Sequence, residues 1–319
     1  MKVAELLELR RQQWHDLEAM CQTLERRRLR SLGAAGVARF ASLYRAACAD
    51  LALADAYSLP PDTIGYLHQL VGRAHNQLYR SQTFRWRQWG HEMFRALPRR
   101  LLFDRALWLA FVVFWGVFGL SLLLSYSSRE YTEDVVGEAA MAQMQEMYSG
   151  KIFGRDPGTN TVMTGFYVFN NASIGLQCFT AGLVLGVGGL YVTVSNALGL
   201  GAVFGFMLTT PERHNFIQFV TAHGPFELTA IVFSAAAGMR LGFSLIATGG
   251  LSRVASLRKA ALEAMPAAGA AVVLFCLAAL IEGFLSPSTA PYEAKVAVAV
   301  ASTALLLIYV VGLGALRSE

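Results

Sequence analysis

Three ionisable residues fall within or beside long apolar stretches of the chain: Glu227, Arg240 and Glu282. A charged side chain at the depth of a lipid bilayer is costly, so each of them is a candidate for a functional role. His223 precedes Glu227 by four residues, a spacing that would place an imidazole and a carboxylate on one face of a helix. Such a pair is what a proton relay or a metal site needs.

Two structural interpretations of Glu227 stand beside this one. Pro225, preceded by Gly224, is typical of the first turn of a helix, where Glu227 would complement the exposed N–H groups and the helix dipole. Glu227 would otherwise belong to a polar network that holds membrane helices together. For Arg240, snorkelling to lipid phosphates near the inner end of its helix is favoured over contact with a substrate.

The sequence carries no complete catalytic motif. It has no Gly-rich phosphate loop, no HExxH pair and no GxSxG elbow. Its cysteines, Cys21, Cys48, Cys178 and Cys276, lack metal-ligand spacing and are expected to be reduced thiols. We therefore predict that the protein is not an enzyme and has no catalytic residue, no cofactor and no metal site.

The composition indicates that part of the chain lies in lipid and part in water. Of the 319 residues, 55% are hydrophobic and 15% charged, which is too apolar for a soluble domain of this size. The basic excess lies mainly before the first long apolar stretch, where anionic lipid is a nearer partner than nucleic acid. The first 30 residues are charged throughout, so no cleavable signal peptide is predicted.

The apolar stretches predict a polytopic, all-α bundle of about six membrane spans. A bilayer core about 30 Å thick requires roughly 20 apolar residues per helix. The predicted spans are 106–126, 166–188, 190–210, 227–248, 266–286 and 295–316, with a turn at Gly188-Gly189 between the second and the third. The alternative is five spans plus a re-entrant segment, because residues 211–226 are amphipathic enough to lie in the outer interface.

Basic loop residues orient this bundle. With six spans, the loop that carries Arg253, Arg258 and Lys259 lies on the same side as the Arg-rich N-terminal region, as does Arg317. Both termini are therefore predicted to be cytoplasmic. The same topology brings five polar residues to one level near the outer leaflet, where they form a candidate polar cluster: Asn170, Asn171, His223, Glu227 and Glu282.

The region before the first span is expected to contain two parts. Apolar residues at a spacing of three and four predict a cytoplasmic helical domain over residues 1–80, interrupted in its first helix only by Arg10. Residues 81–105 mix aromatic and basic side chains and predict an interfacial helix, with a solvated basic linker as the alternative. The arginines expected to face lipid are Arg85, Arg87, Arg95, Arg99, Arg100 and Arg105.

Glycines at a four-residue spacing predict close helix packing. The candidate packing glycines are Gly182, Gly186, Gly201, Gly205, Gly238 and Gly242. A partner helix in the same chain is favoured, and a homo-oligomer is the alternative.

Several motifs together resemble a known family. They occur in the order Phe169-Asn170-Asn171-Ala172, Gly182, Gly186, Ser195-Asn196-Ala197, Gly201-Ala202-Val203, His223-Gly224-Pro225-Phe226-Glu227-Leu228-Thr229-Ala230, Gly238, Ser252-Arg253 and Ile281-Glu282-Gly283-Phe284. This series resembles the stage II sporulation protein M family of integral membrane proteins, and the N-terminal region is similar to the cytoplasmic extension of its non-sporulation members. One departure is Ala197, where the family usually has glycine.

The resemblance implies a membrane scaffold in the bacterial inner membrane. The founding member supports engulfment together with peptidoglycan-degrading partners, and other members are encoded near MoxR-type ATPases. We therefore expect a scaffold or assembly component for the cell envelope, whose residues 1–80 bind a cytoplasmic partner such as a MoxR-type ATPase. The alternative is a small transporter, channel or lipid-handling protein that uses the outer polar cluster.

Overall fold

The computed structural model describes residues 3–26, 32–78, 86–150 and 153–316, except for the side chains of residues 3–9, 26 and 86–88. The described residues are helical and contain no β-strand. In chain order the helices are α1 (Val3–Arg26), α2 (Gly33–Ala56), α3 (Pro61–Leu78), α4 (Trp86–His91), α5 (Leu97–Phe103), α6 (Arg105–Ser127), α7 (Arg129–Val136), α8 (Glu138–Ser149), α9 (Pro157–Gly182), α10 (Val187–Met207), α11 (Arg213–Val220), α12 (Gly224–Ile246), α13 (Arg253–Leu280) and α14 (Tyr292–Leu307). Wider π-helical segments follow α4, α13 and α14 at Glu92–Ala96, Ile281–Leu285 and Ile308–Leu313.

The chain divides into two compact units, Met1–Arg85 and Trp86–Glu319. The first contains α1 to α3, and the second contains the long apolar helices. The all-α fold class is confirmed, as is a bundle of membrane-type helices preceded by a helical region.

The first unit is a three-helix bundle with its own apolar core. Its buried side chains come from all three helices: Trp14, Leu17, Cys21, Leu24, Phe40, Ala47, Ala54, Leu67, Leu70 and Ala74. Burial raises the pKa of the Cys21 thiol to about 11. This cysteine is therefore a protonated core residue, as expected of a reduced thiol.

Polar contacts explain why Arg10 interrupts the apolar pattern of α1. Asp50 of α2 is fully buried, pairs with Arg10 and accepts a hydrogen bond from Trp14 Nε1 at 2.9 Å. A second link joins α1 to α3, where Arg73 donates to Glu18 at 2.5 Å and holds the pKa of that carboxyl below its usual range. Both links join side chains of different helices, so they fix the packing of the bundle.

Among the described residues of the second unit, five helices are long and apolar enough to cross a membrane. They are Arg105–Ser127, Val187–Thr209, Gly224–Ile246, Arg253–Leu285 and Tyr292–Leu313. The second predicted span, 166–188, falls mainly on α9, which is not among them. Although 26 residues long, α9 carries amide side chains at Asn160, Asn170, Asn171 and Gln177 that lower its hydropathy.

The turn between α9 and α10 lies earlier than predicted. It spans residues 183–186 and contains two positive φ angles, 51° at Leu185 and 79° at Gly186. Gly188 and Gly189 belong instead to the first turn of α10. Glycine adopts a positive φ without steric cost, which explains why the chain reverses at Gly186.

Helix α12 is the centre of the second unit. It packs against α6, α9, α10 and α13, and most of its residues are buried. A helix that is apolar on all sides is expected at such a position. On one side of it, α7, α8 and α11 cover the bundle through a separate apolar cluster that includes Met141, Tyr148, Phe216 and Phe219. The segment 211–226 is therefore a short helix and turns rather than an extended loop.

The segment before the first span packs on the last one. The Tyr309 hydroxyl donates to the Met93 carbonyl at 2.7 Å, and Gly314 lies against Pro98 and Leu102 of α5. Among the arginines expected to face lipid, Arg95, Arg99 and Arg105 are exposed, whereas Arg100 pairs with Glu92 at 2.6 Å. Arg85 and the side chain of Arg87 lie outside the described residues.

Candidate functional site

Three side chains from two helices meet at one end of the second unit. His223 and Glu227 lie at the start of α12, and Glu282 lies in the π-helical turn that follows α13. One ligand atom from each side chain lies within 4.8 Å of the others, and His223 Nε2 is 3.6 Å from Glu227 Oε2. We call these residues the His-Glu-Glu cluster.

The beginning of α12 brings His223 and Glu227 onto one face. His223 occupies the N-cap position without a side-chain capping bond, Pro225 lies in the first turn, and the Glu227 N–H donates to the His223 carbonyl at 3.2 Å. Helical geometry therefore already holds at His223, and the two side chains project from the same side. The arrangement is compatible with the interpretation that Glu227 complements the exposed N–H groups at the start of α12. Its carboxylate lies in the first turn, near the positive end of the helix dipole.

Glu282 reaches the cluster from a widened turn. The Ser286 N–H donates to the Ile281 carbonyl at 2.8 Å, five residues back, as in a π-helix. Short π-helical segments within α-helices are frequently found at functional sites. Gly283 allows this turn to approach α9, because a Cβ there would lie 2.9 Å from the Thr164 Cβ.

Two polar atoms beside the cluster are buried without a hydrogen-bond partner among the described residues: Glu282 Oε2 and Asn171 Nδ2. Asn171 is 2% exposed, and its amide lies beside the Glu282 carboxyl. Asn170 is exposed, with its amide nitrogen 3.3 Å from Asn171 Oδ1. Of the five residues of the predicted outer polar cluster, four lie together and Asn170 points elsewhere.

Residues that sequence reasoning missed surround the imidazole. His223 Nδ1 lies 3.0 Å from the Ser286 hydroxyl, and the Ser286 carbonyl accepts a hydrogen bond of 2.7 Å from Lys295 Nζ. Lys295 is fully buried, and its ammonium also lies 4.3 Å from the centre of the Phe153 ring. No motif marks Ser286 or Lys295 in the sequence, since both lie in the short polar segment between two apolar stretches.

Tyr148 and Arg155 approach the cluster from outside the candidate spans. Burial lifts the pKa of the Tyr148 hydroxyl well above its usual range, and the nearby Glu282 carboxylate adds to this rise. Tyr148 therefore keeps its proton. Arg155 lies over the Phe219 ring at 5.7 Å and is 3.4 Å from the Tyr167 hydroxyl. In the part of the chain that the structure describes, it forms no ion pair with either glutamate of the cluster.

Arg240 belongs to a separate ion-pair network. Its guanidinium donates to Asp104 at 2.8 Å and to Glu263 at 2.5 Å. Asp104 also caps α6 by accepting from the Ala106 N–H at 2.8 Å. The interpretation that Arg240 snorkels to lipid phosphates is therefore replaced by an ion pair that joins α6, α12 and α13.

The candidate packing glycines lie where helices of this chain approach one another. A Cβ at Gly182 would lie 2.5 Å from the Gly238 Cα, and Gly242 and Gly186 lie in the same contact between α9 and α12. A Cβ at Gly201 or Gly205 would lie 2.8 Å from a serine Cβ of α6. The serine hydroxyls of that contact, Ser121 and Ser125, donate to carbonyls of α10 at 2.7 and 2.6 Å.

The family of this chain follows from a comparison with family models. The model of stage II sporulation protein M matches residues 106–287, which include α6, α9 to α13 and the whole His-Glu-Glu cluster. The chain belongs to this family. A second model, a domain of unknown function (DUF8413), matches residues 4–80. No curated protein and no solved structure matches the chain.

Membership of the stage II sporulation protein M family confirms the resemblance seen in the sequence motifs. Together with five apolar helices of sufficient length, it identifies a multi-pass membrane protein. Ala197, the departure from the family pattern, is fully buried in the middle of α10. The helix is continuous there, so the missing glycine leaves no turn unformed.

Proposed function

We propose that this protein is a membrane scaffold or assembly component, in which the helical bundle anchors the N-terminal helical unit and that unit binds a protein partner. The observation that carries this proposal is the independent character of residues 4–80. They match a family model of their own, and α1 to α3 enclose a complete apolar core. A unit with its own core is expected to present a defined surface to a partner.

The proposal extends to location and partner class. The N-terminal unit is placed in the cytoplasm and the bundle in the bacterial inner membrane, as the distribution of basic loop residues favours. The implied partner is a cytoplasmic ATPase of the MoxR type, working with other membrane components of the cell envelope. The absence of a complete catalytic motif supports a role in assembly rather than in catalysis.

A pull-down with matched variants tests this proposal. Leu67→Asp places a charge in the core of the N-terminal unit, because Leu67 is fully buried, whereas Gln69→Asp adds the same charge at an exposed position of α3. We expect tagged full-length protein and Gln69→Asp to retain an ATPase partner in mild detergent. Leu67→Asp and a chain without residues 1–80 should lose it. Recovery of the same partners by the truncated chain would contradict the proposal.

A second candidate function, lipid handling, is favoured by one apolar groove of about 570 Å³. It is lined mainly by α6, α12 and α14, with smaller contributions from α10 and α11, and Trp108, Trp115, Leu228 and Val232 are among its residues. These helices are candidate spans, so the medium that surrounds the groove is lipid. We infer that the occupant is a phospholipid acyl chain.

Filling the groove tests the second candidate. Leu228→Trp adds an indole to the groove, whereas Leu305→Trp makes the same change at an exposed position of α14. We expect native mass spectrometry of delipidated samples to show fewer bound phospholipids for Leu228→Trp than for Leu305→Trp. Equal lipid retention by the two variants would remove the support for lipid handling.

A further inference from the structure

We propose that the His-Glu-Glu cluster is a binding site for a divalent transition-metal ion of the zinc class. Zinc–nitrogen and zinc–oxygen bonds of about 2.0–2.2 Å in a tetrahedron place neighbouring ligand atoms roughly 3.4 Å apart. His223 Nε2 and Glu227 Oε2 are 3.6 Å apart, and all three ligand atoms lie within 4.8 Å. Small side-chain rotations would bring the set to coordination distance.

The imidazole is held in the orientation that a metal ligand requires. A neutral histidine binds a metal through one nitrogen while the other nitrogen donates to a neighbouring acceptor. His223 Nδ1 lies 3.0 Å from the Ser286 hydroxyl, which leaves Nε2 directed at the two carboxylates. Lys295 fixes Ser286 in turn by donating to its carbonyl. His223 Nδ1, the Ser286 hydroxyl beside it and the Lys295 ammonium that holds Ser286 therefore form the support that such a ligand needs.

The charge at this position favours a cation. Two carboxylates meet where His223 is 4% exposed and the Glu227 side chain 20%, and burying like charges together is costly. The Arg155 charge acts on Glu282 from a distance, but among the described residues Arg155 forms no ion pair with either glutamate. A divalent ion would balance both carboxylates at once, whereas a hydrogen bond from a neutral group would not.

The unpartnered atoms are an independent sign of a ligand. Buried polar groups almost always have a hydrogen-bond partner, so each exception requires an explanation. By hydrogen-bond geometry Glu282 Oε2 has none among the described residues, and Asn171 Nδ2, in a side chain that is 2% exposed, has none either, although the Asn171 amide lies beside the Glu282 carboxyl. A metal ion bound to Glu282 Oε2, with a water molecule near the Asn171 amide, would satisfy both atoms.

The ligand types select the class of metal. Calcium and magnesium prefer oxygen ligands only, and copper(I) prefers sulfur, whereas one imidazole with two carboxylates suits zinc, manganese or iron(II). Three protein ligands leave a fourth position for water, as in open zinc sites.

Metal analysis of the purified full-length protein tests the proposal. The protein is isolated in detergent with a tag that contains no histidine, exposed to zinc, manganese and iron(II) in turn, and desalted before elemental analysis. We expect about one ion per chain. Glu227→Gln and Glu282→Gln preserve side-chain size and should lower the affinity roughly tenfold or more. His214→Gln and Glu293→Gln, at exposed positions of α11 and α14, are the controls and should retain the ion.

A second measurement keeps the proposal testable if a variant fails to fold. Cobalt(II) added to the unaltered protein should produce the visible absorption of a tetrahedral site with nitrogen and oxygen ligands, and zinc should abolish that absorption. Less than about a tenth of an ion per chain, with no cobalt spectrum, would overturn the proposal. So would equal metal content in Glu282→Gln and Glu293→Gln. Neither result depends on whether the N-terminal unit binds a partner.

Discussion

Replacement of Gly182 by valine is expected to destabilise the folded protein strongly and to lower its melting temperature. A Cβ at this position would lie 2.5 Å from the Gly238 Cα, with backbone atoms rather than a flexible side chain in the way. Overpacking of a core typically costs about 1–3 kcal/mol, and a contact between two backbones belongs at or above the upper end. The free energy of unfolding of a domain is about 5–15 kcal/mol, so this loss is large.

Gly165→Val is the matched control for this experiment. Gly165 lies on the same helix, and a Cβ there would have no atom within 4 Å. Valine has a higher helix propensity than glycine, and this difference affects both variants alike, so the difference between their stabilities reports the contact between α9 and α12. Size-exclusion chromatography and thermal unfolding in detergent measure the effect. Similar melting temperatures for the two variants would show that the two helices do not pack as described.

Arg240→Met should cause the second large loss of stability. It leaves Asp104 and Glu263 without their cation, and the Asp104 side chain is only 16% exposed. Removal of one partner from a buried ion pair typically costs about 3–5 kcal/mol. Because the Glu263 side chain is 35% exposed, solvent screens part of the effect, and we expect about 2–3 kcal/mol.

A neutralising pair of substitutions distinguishes lost charge balance from lost packing. In the Arg240→Met background, Asp104→Asn with Glu263→Gln removes both orphaned charges and should restore part of the melting temperature. Arg258→Met, at an exposed position of α13, is the control and should leave the melting temperature nearly unchanged. An Arg240→Met protein as stable as the control would show that the ion pairs contribute little.

The architecture could be predicted because length and hydropathy determine which helices can cross a membrane. The exception, α9, is long enough but carries asparagine and glutamine side chains that a hydropathy pattern cannot assign to an interior or a lipid face. The turn after α9 was misplaced for a similar reason. Several glycines lie close together there, and only the backbone angles distinguish Gly186, which reverses the chain, from Gly189, which packs against Gly182.

The candidate site was predicted only in part. Topology placed His223, Glu227 and Glu282 at one level, but it could not give the distances between their atoms. Asn170 and Asn171 are neighbours on a helix, so they point in directions about 100° apart, and the sequence does not say which one faces inward. The partners of Arg240 were not predictable, since Asp104 lies 136 residues earlier in the chain.

The contact between Met93 and Tyr309 has a consequence for biosynthesis. The two residues are 216 positions apart. At synthesis rates of about 5–20 residues per second, the last helix leaves the ribosome some 10–40 s after the segment on which it packs. During that time the segment has no helix to pack on. Its exposed aromatic and basic side chains favour a position among the lipid headgroups until the last helix is inserted.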